Sequence, residues 1–453
     1  MADSPAPTDV GTSFAEVYRA LQRRWPETKL DPTLERMAML CDLLGQPQRN
    51  FPVVHLTGTN GKTSTARMVD DLIRGLGLRT GRFTSPHVES ITERITIDGE
   101  PVSDERFVEL YHEVAPYAEI VDRTAEHPMS FFEFITGMAF AAFADSPVDA
   151  AVLEVGMGGA WDSTNIADGS VAVITPIAVD HRRYLGDRPA DIAVEKSGII
   201  KPGAFAILAQ QPLDVAEVLL RRAVEVGATV IREGLEFGVL DRVPGVGGQM
   251  LVLRGLFGEY PDVFLPLYGA HQAHNAACAL AAVEAFSGGG DLVDIDVVRE
   301  AFGQVTSPGR LEVVRRSPTI VIDAAHNPHG ALATAEAVQE SFSFAPLVGV
   351  VGVMRDKDAE GVLASFEPIM AAVVCTQNST ARALPAAELG EIATGIFGAD
   401  RVEVVPRLDD AIDRAISLAE AGGSLADAIG SGAVLVTGSV ITAGEARGLV
   451  KGS

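Results

Sequence analysis

Thr57-Gly58-Thr59-Asn60-Gly61-Lys62-Thr63-Ser64 is the stretch whose reading decides the fold. It follows an apolar run, Phe51 to Leu56, that reads as a buried strand. It precedes Ala66 to Leu76, where Met68, Val69, Leu72, Ile73 and Leu76 recur at helical spacing. A strand, a Gly-rich turn and a helix N-terminus together make an anion cradle. Backbone N–H groups point into the turn, the helix dipole adds positive potential, and Lys62 supplies a full charge for β/γ-phosphates. Thr63 offers a hydroxyl to Mg²⁺. The stretch therefore predicts binding of a nucleoside triphosphate. It is shorter than the usual G-x-x-x-x-G-K-[ST], because position 56 is Leu56 and the first glycine is Gly58.

Outward from this loop, the first half alternates strand and helix. Strands are predicted at Val53–Thr57, Thr80–Phe83, Ile91–Ile97, Ala150–Val155 and Val171–Thr175. Helices are predicted at Asp104–Val121, Phe131–Ala144 and Ala190–Ile199. A β-richer stretch follows, with Thr229–Ile231, Phe237–Leu240, Met250–Leu253 and Val263–Pro266, and then an Ala-rich helix from His271 to Phe286. Ser307-Pro308-Gly309 reads as a domain boundary. Beyond it, apolar runs at Thr319–Ile322, Leu347–Val353, Ala372–Cys375, Val402–Val405 and Ala433–Val436 alternate with helical segments, the pattern of a second parallel-sheet domain.

Composition limits what such a chain can do. The 453 residues suffice for two or three domains, and 47% hydrophobic content supports substantial cores. A net charge of −25 argues against non-specific binding to nucleic acid or anionic membranes. Anionic substrates must then be drawn by local cations, with Lys62, Arg94 and Arg310 as candidates. Three widely spaced cysteines, with no C-x-x-C pair, suit a reducing cytosol. Met1 to Thr12 has neither a basic nor an apolar region and reads as a frayed terminus, not a signal peptide. Phe131 to Phe143, the longest apolar stretch, is broken by Glu133 and too short to span a bilayer.

Several short motifs place chemistry at strand ends. Glu154 closes an apolar strand in Leu153-Glu154-Val155-Gly156-Met157-Gly158-Gly159, where ligands bind in open α/β sheets, and is a metal-ligand candidate. Ser85, in Thr84-Ser85-Pro86-His87, offers another oxygen donor, although alone it reads as a turn residue. Asp180-His181 ends the next strand and can face the same crevice. Glu195-Lys196-Ser197-Gly198, taken alone, is a solvated charge pair. His271, His274 and Asn275 open the Ala-rich helix, where Asn275 can read an adenine or simply cap. Pro308-Gly309-Arg310 sets a cation at the domain junction, within reach of a phosphate. Asp323-Ala324-Ala325-His326-Asn327-Pro328 crowds polar groups at the end of the second domain's first strand.

Together with Glu93-Arg94-Ile95, Phe132-Glu133, Leu153 through Asn165, Tyr184-Leu185-Gly186 and Pro308 through Glu312, these motifs resemble the folylpolyglutamate synthase/dihydrofolate synthase family of Mur ligases. They run in family order from about residue 20 to the C-terminus, and the short phosphate loop is the family form. The resemblance implies an α/β protein with a P-loop NTPase-like Mur ligase central domain within residues 1–306. A Rossmann-like C-terminal ligase domain would fill 307–453. It also implies a cytoplasmic, monomeric enzyme of folate and one-carbon metabolism that joins L-glutamate to a pterin or folate acid, using ATP and two Mg²⁺.

Residue roles follow from the resemblance. Gly58, Thr59, Asn60, Gly61, Lys62, Thr63 and Ser64 would hold the phosphates. Ser85, with Thr63 and Glu154, would bind one Mg²⁺. Glu154, His181 and Lys196, carbamylated by CO₂, would bind the second. Asn275, Arg310 and Asp323 would contact ATP; Ser130, Phe132 and Asp162, with His87 and Arg94 nearby, would line the acid's site. His326 and the region of Ser379 and Arg382 would take glutamate. Lys62, Glu154, His181, Lys196 and His326 form the expected catalytic set.

This chain departs from the family pattern at Ala160, where Arg is usual, at Ser163, at Arg182-Arg183, and at Met354-Arg355-Asp356-Lys357. A paralogue using a different carboxylic acid is one alternative. A Mur ligase acting on a UDP-sugar peptide is another, disfavoured by the pterin-loop match. A nucleotide-binding protein without ligase activity is a third, disfavoured because Ser85, Glu154, His181 and Lys196 occur together.

Overall fold

The computed structural model describes residues 13–26, 31–288, 290, 292–421 and 431–451. Met1–Thr12 therefore lies outside the described residues. Eight strands form the first sheet: β1 (Val53–Thr57), β2 (Thr80–Phe83), β3 (Ile95–Ile97), β4 (Glu100–Pro101), β5 (Ala150–Glu154), β6 (Gly169–Ile174), β7 (Phe205–Leu208) and β8 (Thr229–Arg232). Their order is β4-β3-β2-β5-β1-β6-β7-β8, with β3 and β4 antiparallel and the rest parallel. The chain leaves β1 toward one side and returns to fill the other. The β1 end is thus a switch point, where loops part and leave a crevice.

Every residue of β1 is buried, as expected of a central parallel strand covered on both faces. Val54 and Leu56 pack with Met68, Val69 and Leu72 of the phosphate-loop helix (Lys62–Gly75) and with the helix Ala270–Ser287. Val53 faces the opposite way, toward Phe134, Met138 and Phe140 of the helix Phe131–Asp145. Alanines dominate the buried side of Ala270–Ser287. Small side chains let that helix lie close to its neighbours, which is how the chain packs tightly with few aromatics.

A three-stranded antiparallel sheet follows: β9 (Gly238–Gly245), β10 (Gly248–Arg254) and β11 (Glu259–Leu265). The last sheet contains β12 (Glu312–Arg316), β13 (Thr319–Ile322), β14 (Phe344–Val351), β15 (Ala372–Cys375), β16 (Val402–Val404) and β17 (Ser431–Thr437). Its order is β12-β13-β17-β14-β15-β16, parallel except for β12. Separate apolar clusters cover its two faces.

Two predicted elements are shorter than the sequence suggested. Ile91–Arg94 is a 3₁₀ turn, and only Ile95–Ile97 is strand. The Glu93 carboxylate gathers the backbone N–H groups of Val88, Glu89 and Ser90, and this capping competes with extended structure. The predicted helix Ala190–Ile199 runs as α-helix from Pro189 to Lys196 and tightens into a 3₁₀ turn at Ser197–Ile199. The Ser197 hydroxyl donates to the Val194 carbonyl at this change.

Candidate active site

The carboxyl ends of the first sheet's central strands open into a cleft of about 680 Å³, counting its open mouth. The predicted phosphate loop, residues 58–63, forms its floor. Gly58 and Gly61 lie at φ +146° and +89°. A β-carbon at Gly61 would collide with the Asn275 side chain, so glycine lets the loop sit under that helix. The Lys62 ammonium donates to the carbonyls of Gly58 and Thr59, both at 3.2 Å. Burial pushes its pKa down, while Glu154 and Asp180 pull it back up.

Glu154 ends β5 and is 1% exposed. Its carboxylate accepts from the Thr63 hydroxyl at 2.9 and 3.0 Å and from the Ser85 N–H at 3.2 Å. Burial raises its pKa, opposed by Lys62. Among the described residues, no three His, Cys, Asp or Glu side chains are grouped to hold a metal. The donors that do converge are the Glu154 carboxylate and the Thr63 hydroxyl, with Ser85 lining the same cleft. That oxygen-rich but sparse set fits Mg²⁺, which keeps waters and shares substrate phosphates.

His181 and Lys196 line the same cleft. His181 adopts φ +51°, a conformation uncommon outside glycine. Burial lowers its pKa to about 3, leaving a neutral imidazole. Burial, then the charge of Lys62, lowers Lys196 to about 7. Gly159 packs against the backbone of Glu195 and Lys196, and the Ala160 N–H donates to the Glu195 carbonyl at 3.0 Å. The glycine loop after β5 thereby seats the turn that presents Lys196. Ala160 is itself exposed, with its β-carbon beside Gly198.

The last sheet closes the cleft with Arg310, His326 and Val440. Asp180, expected to face the crevice but given no role, and Lys357, not expected there, stand between the sheets. Asp180 takes an ion pair from Lys357, lies 3.4 Å from the His326 ring, and accepts from the Asn327 amide at 3.2 Å. Burial pushes Asp180 up, but His326, His181 and Lys357 outweigh it and hold it well below the carboxylate range. Asn60 and Asn327 exchange two amide hydrogen bonds, each 3.1 Å. Asp180 follows a strand end, which was a readable signal. Lys357 is 177 residues away, and nothing local pairs the two.

The remaining expected residues do not line the cleft. Ser64 shares a buried hydrogen bond with Ser307 at 3.0 Å, and Asn275 bonds Gln272 while abutting Gly61. Asp323 accepts from Leu311 N–H, Ala325 N–H and the Thr334 hydroxyl, so it shapes the turn that carries Arg310. Asp162 is 3% exposed and accepts from the N–H groups of Gly156, Met157 and Thr164. Ser130 caps the helix Phe131–Asp145, and Phe132 packs on Gly156. The Arg94 guanidinium donates to His87 at 3.0 Å and lies over the Phe131 ring. Ser379 bonds Glu445, and Arg382 pairs with Asp356 at 3.1 Å, both on the surface.

A model of the Mur ligase middle domain matches residues 56–283, and one of the Mur ligase glutamate ligase domain matches 309–440. A Mycobacterium tuberculosis dihydrofolate synthase/folylpolyglutamate synthase is 50% identical over 98% of this chain and 95% of its own length. The chain belongs to the folylpolyglutamate synthase/dihydrofolate synthase family of Mur ligases. A solved M. tuberculosis folylpolyglutamate synthase complexed with ADP superposes with a TM-score of 0.93, at 51% identity, covering 96% of this chain and 98% of that one. Escherichia coli FolC, in complex with DHPP and ADP, superposes at 0.84 with 27% identity and 99% of both chains covered. This chain joins a P-loop sheet to a second, mostly parallel sheet across the cleft. Among the described residues, no helix is long and apolar enough to cross a membrane.

Proposed function

We propose that this chain joins L-glutamate to the carboxylate of a pterin or folate acid, dihydropteroate or a reduced folylpolyglutamate, through an acyl phosphate, releasing ADP and phosphate. The observation that carries the reading is the convergence of Lys62, Glu154, His181, Lys196, Arg310 and His326 on one cleft. The full-length likeness to a dihydrofolate synthase/folylpolyglutamate synthase supplies the substrate class.

The reaction asks for positioning more than covalent chemistry. Lys62 and Arg310 neutralise charge that builds on the γ-phosphoryl group as the acid's carboxylate attacks it and ADP departs. The glutamate amine then attacks the acyl carbon, and phosphate leaves. Closure of two sheets over the cleft keeps water from the acyl phosphate. Thr63, Ser85 and Glu154 would hold one Mg²⁺; Glu154, His181 and a carbamylated Lys196 would hold a second. Bound there, Mg²⁺ supplies Lewis acidity toward phosphoryl oxygens. The neutral His181 and the near-neutral Lys196 support that assignment, because a carbamate forms only on an uncharged amine.

Asn275 and Asp323 are assigned to the nucleotide, directly or through Gly61 and the Arg310 turn. His87, Arg94, Ser130, Phe132 and Asp162 are assigned to the wall that receives the acid. His326, with Ser379 and Arg382 further along the carboxyl edge of the last sheet, is assigned to glutamate. The boundary is placed at Ser307-Pro308-Gly309, giving units 1–306 and 307–453. Its support is the turn itself, where Gly309 and Leu311 lie at φ +69° and +45°. We place the enzyme in the cytoplasm as a monomer. All three cysteines are free and buried, which suits a reducing compartment.

An ADP-release assay with glutamate and dihydropteroate, reduced folates or unrelated aryl acids, followed by product mass, tests the reading. Release that depends on a pterin acid and glutamate, with a product heavier by one glutamyl residue, supports it. Release with an unrelated acid alone points instead to a paralogue with another substrate.

A further inference from the structure

The segment that carries Ser85 is held from the far side by the last helix of the chain. Ser85 meets Glu154 at the cleft, and the following residues curl around the Glu93 carboxylate. The outer face of this curl rests on the helix Val440–Lys451. Gly444 is buried there, and a β-carbon on it would overlap the Val88 carbonyl oxygen. One turn on, the Arg447 guanidinium pairs with Glu89 of the curl and donates to Glu312 at 2.9 and 3.1 Å. Glu312 also accepts from the Gly309 N–H at 2.9 Å. It thereby fastens the turn in which Arg310 is presented to the cleft. Arg447 is only 16% exposed and sits between these two acids.

We infer that Gly444 and Arg447 are positioning residues that set Ser85 relative to Lys62 and Glu154, with Glu312 and the Arg310 turn as their anchor on the last sheet's side. The metal-facing loop of the first sheet then takes its place only when the last sheet is docked. The inference rests on the nucleotide-ligase reading of the cleft. A lone surface ion pair would carry little weight. Here the pair is one limb of a bridge that ends on two cleft-lining groups, and a glycine-tight backbone contact fixes its register.

Two variants separate this role from plain stability. Gly444→Ala puts a methyl against Val88, although helix propensity alone favours alanine. Glu89→Gln removes the charge that pairs the curl with Arg447 and leaves the Arg447–Glu312 contact in place. ATP binding to the full chain is measured by calorimetry with Mg²⁺ and with chelator. We expect Gly444→Ala to reduce the Mg²⁺-dependent gain in ATP affinity by about tenfold, and Glu89→Gln by about threefold, consistent with a partly exposed pair. Affinity in chelator stays within about twofold in both, since the phosphate loop itself is untouched. A wild-type gain in both variants overturns the inference, as does a parallel loss of affinity in both conditions. If Gly444→Ala does not fold, Glu89→Gln decides alone. Lys62→Ala serves as the separate check: ATP binding unchanged by that substitution would sink the nucleotide reading itself.

Discussion

The two rims of the cleft are built differently. On the first-sheet rim, each key group is held by its own neighbourhood. Lys62 leans on two carbonyls of its own loop, and Glu154 is bracketed by Thr63 and Ser85. On the opposite rim, His326, Asn327 and Lys357 are engaged by Asp180, a residue of the first sheet's side. One rim is thus held mostly from within the first sheet's own unit, with only the outer side of the Ser85 loop leaning on the helix Val440–Lys451, and the other takes its geometry from contact across the gap. In the proposed reading, phosphate binding falls to the first rim and glutamate to the rim that depends on docking.

The largest expected effect breaks the first rim. Lys62→Ala should lower ADP formation by about a thousandfold, as loss of a charge-stabilising group does in a desolvated site. Steady-state ADP release measures this, and unchanged release would remove Lys62 from the chemistry. Asp180→Asn attacks the contact-dependent rim. Removing one partner of a buried pair should cost about 3 kcal/mol of unfolding free energy. Denaturant unfolding of Asp180→Asn, Lys357→Met and the double variant should show a smaller combined cost than the sum. Strict additivity would mean that the two rims are not coupled there.

Lys196 sharpens the comparison through pH. Its pKa of about 7 makes the amine mostly charged at pH 6 and mostly neutral at pH 8. Uptake of labelled bicarbonate as a carbamate carbonyl, read by carbon NMR, should therefore rise about tenfold over that range. It should vanish in Lys196→Arg. A signal that falls with rising pH would refute the assignment. The smallest effect is expected from Arg382→Ala, which removes an exposed guanidinium and should raise the glutamate KM by about threefold. No change in KM would take Arg382 out of the glutamate end.

What could be read from the sequence was local in the chain. The phosphate loop is a strand, a turn and a helix within one short stretch, so spacing alone reveals it. Glu154 stood out because an ionisable group ending an apolar strand needs a reason to be there. Ile91–Ile97 misled because the apolar content of Ile91 and Ile95 reads as strand, while Ser90 and Glu93 supply caps that win locally. Asp162 matched a motif, and its carboxylate is shared among three backbone N–H groups, a use that no side-chain pattern announces. Asp180 with Lys357, and Arg447 with Glu89, are long-range charge pairs. In a chain with 61 acidic and 36 basic residues, such partners have many rivals, and only the fold selects among them.

The Asn60–Asn327 pairing has a consequence of its own. It joins the floor of the cleft to the opposite lobe through two uncharged dipoles, in a self-matched pattern resembling that of two paired bases. Mobile ions have no net charge to shield in such a clasp. The alignment of the lobes at that point should then persist in brine as in dilute buffer, even where the outer acid–base contacts have weakened.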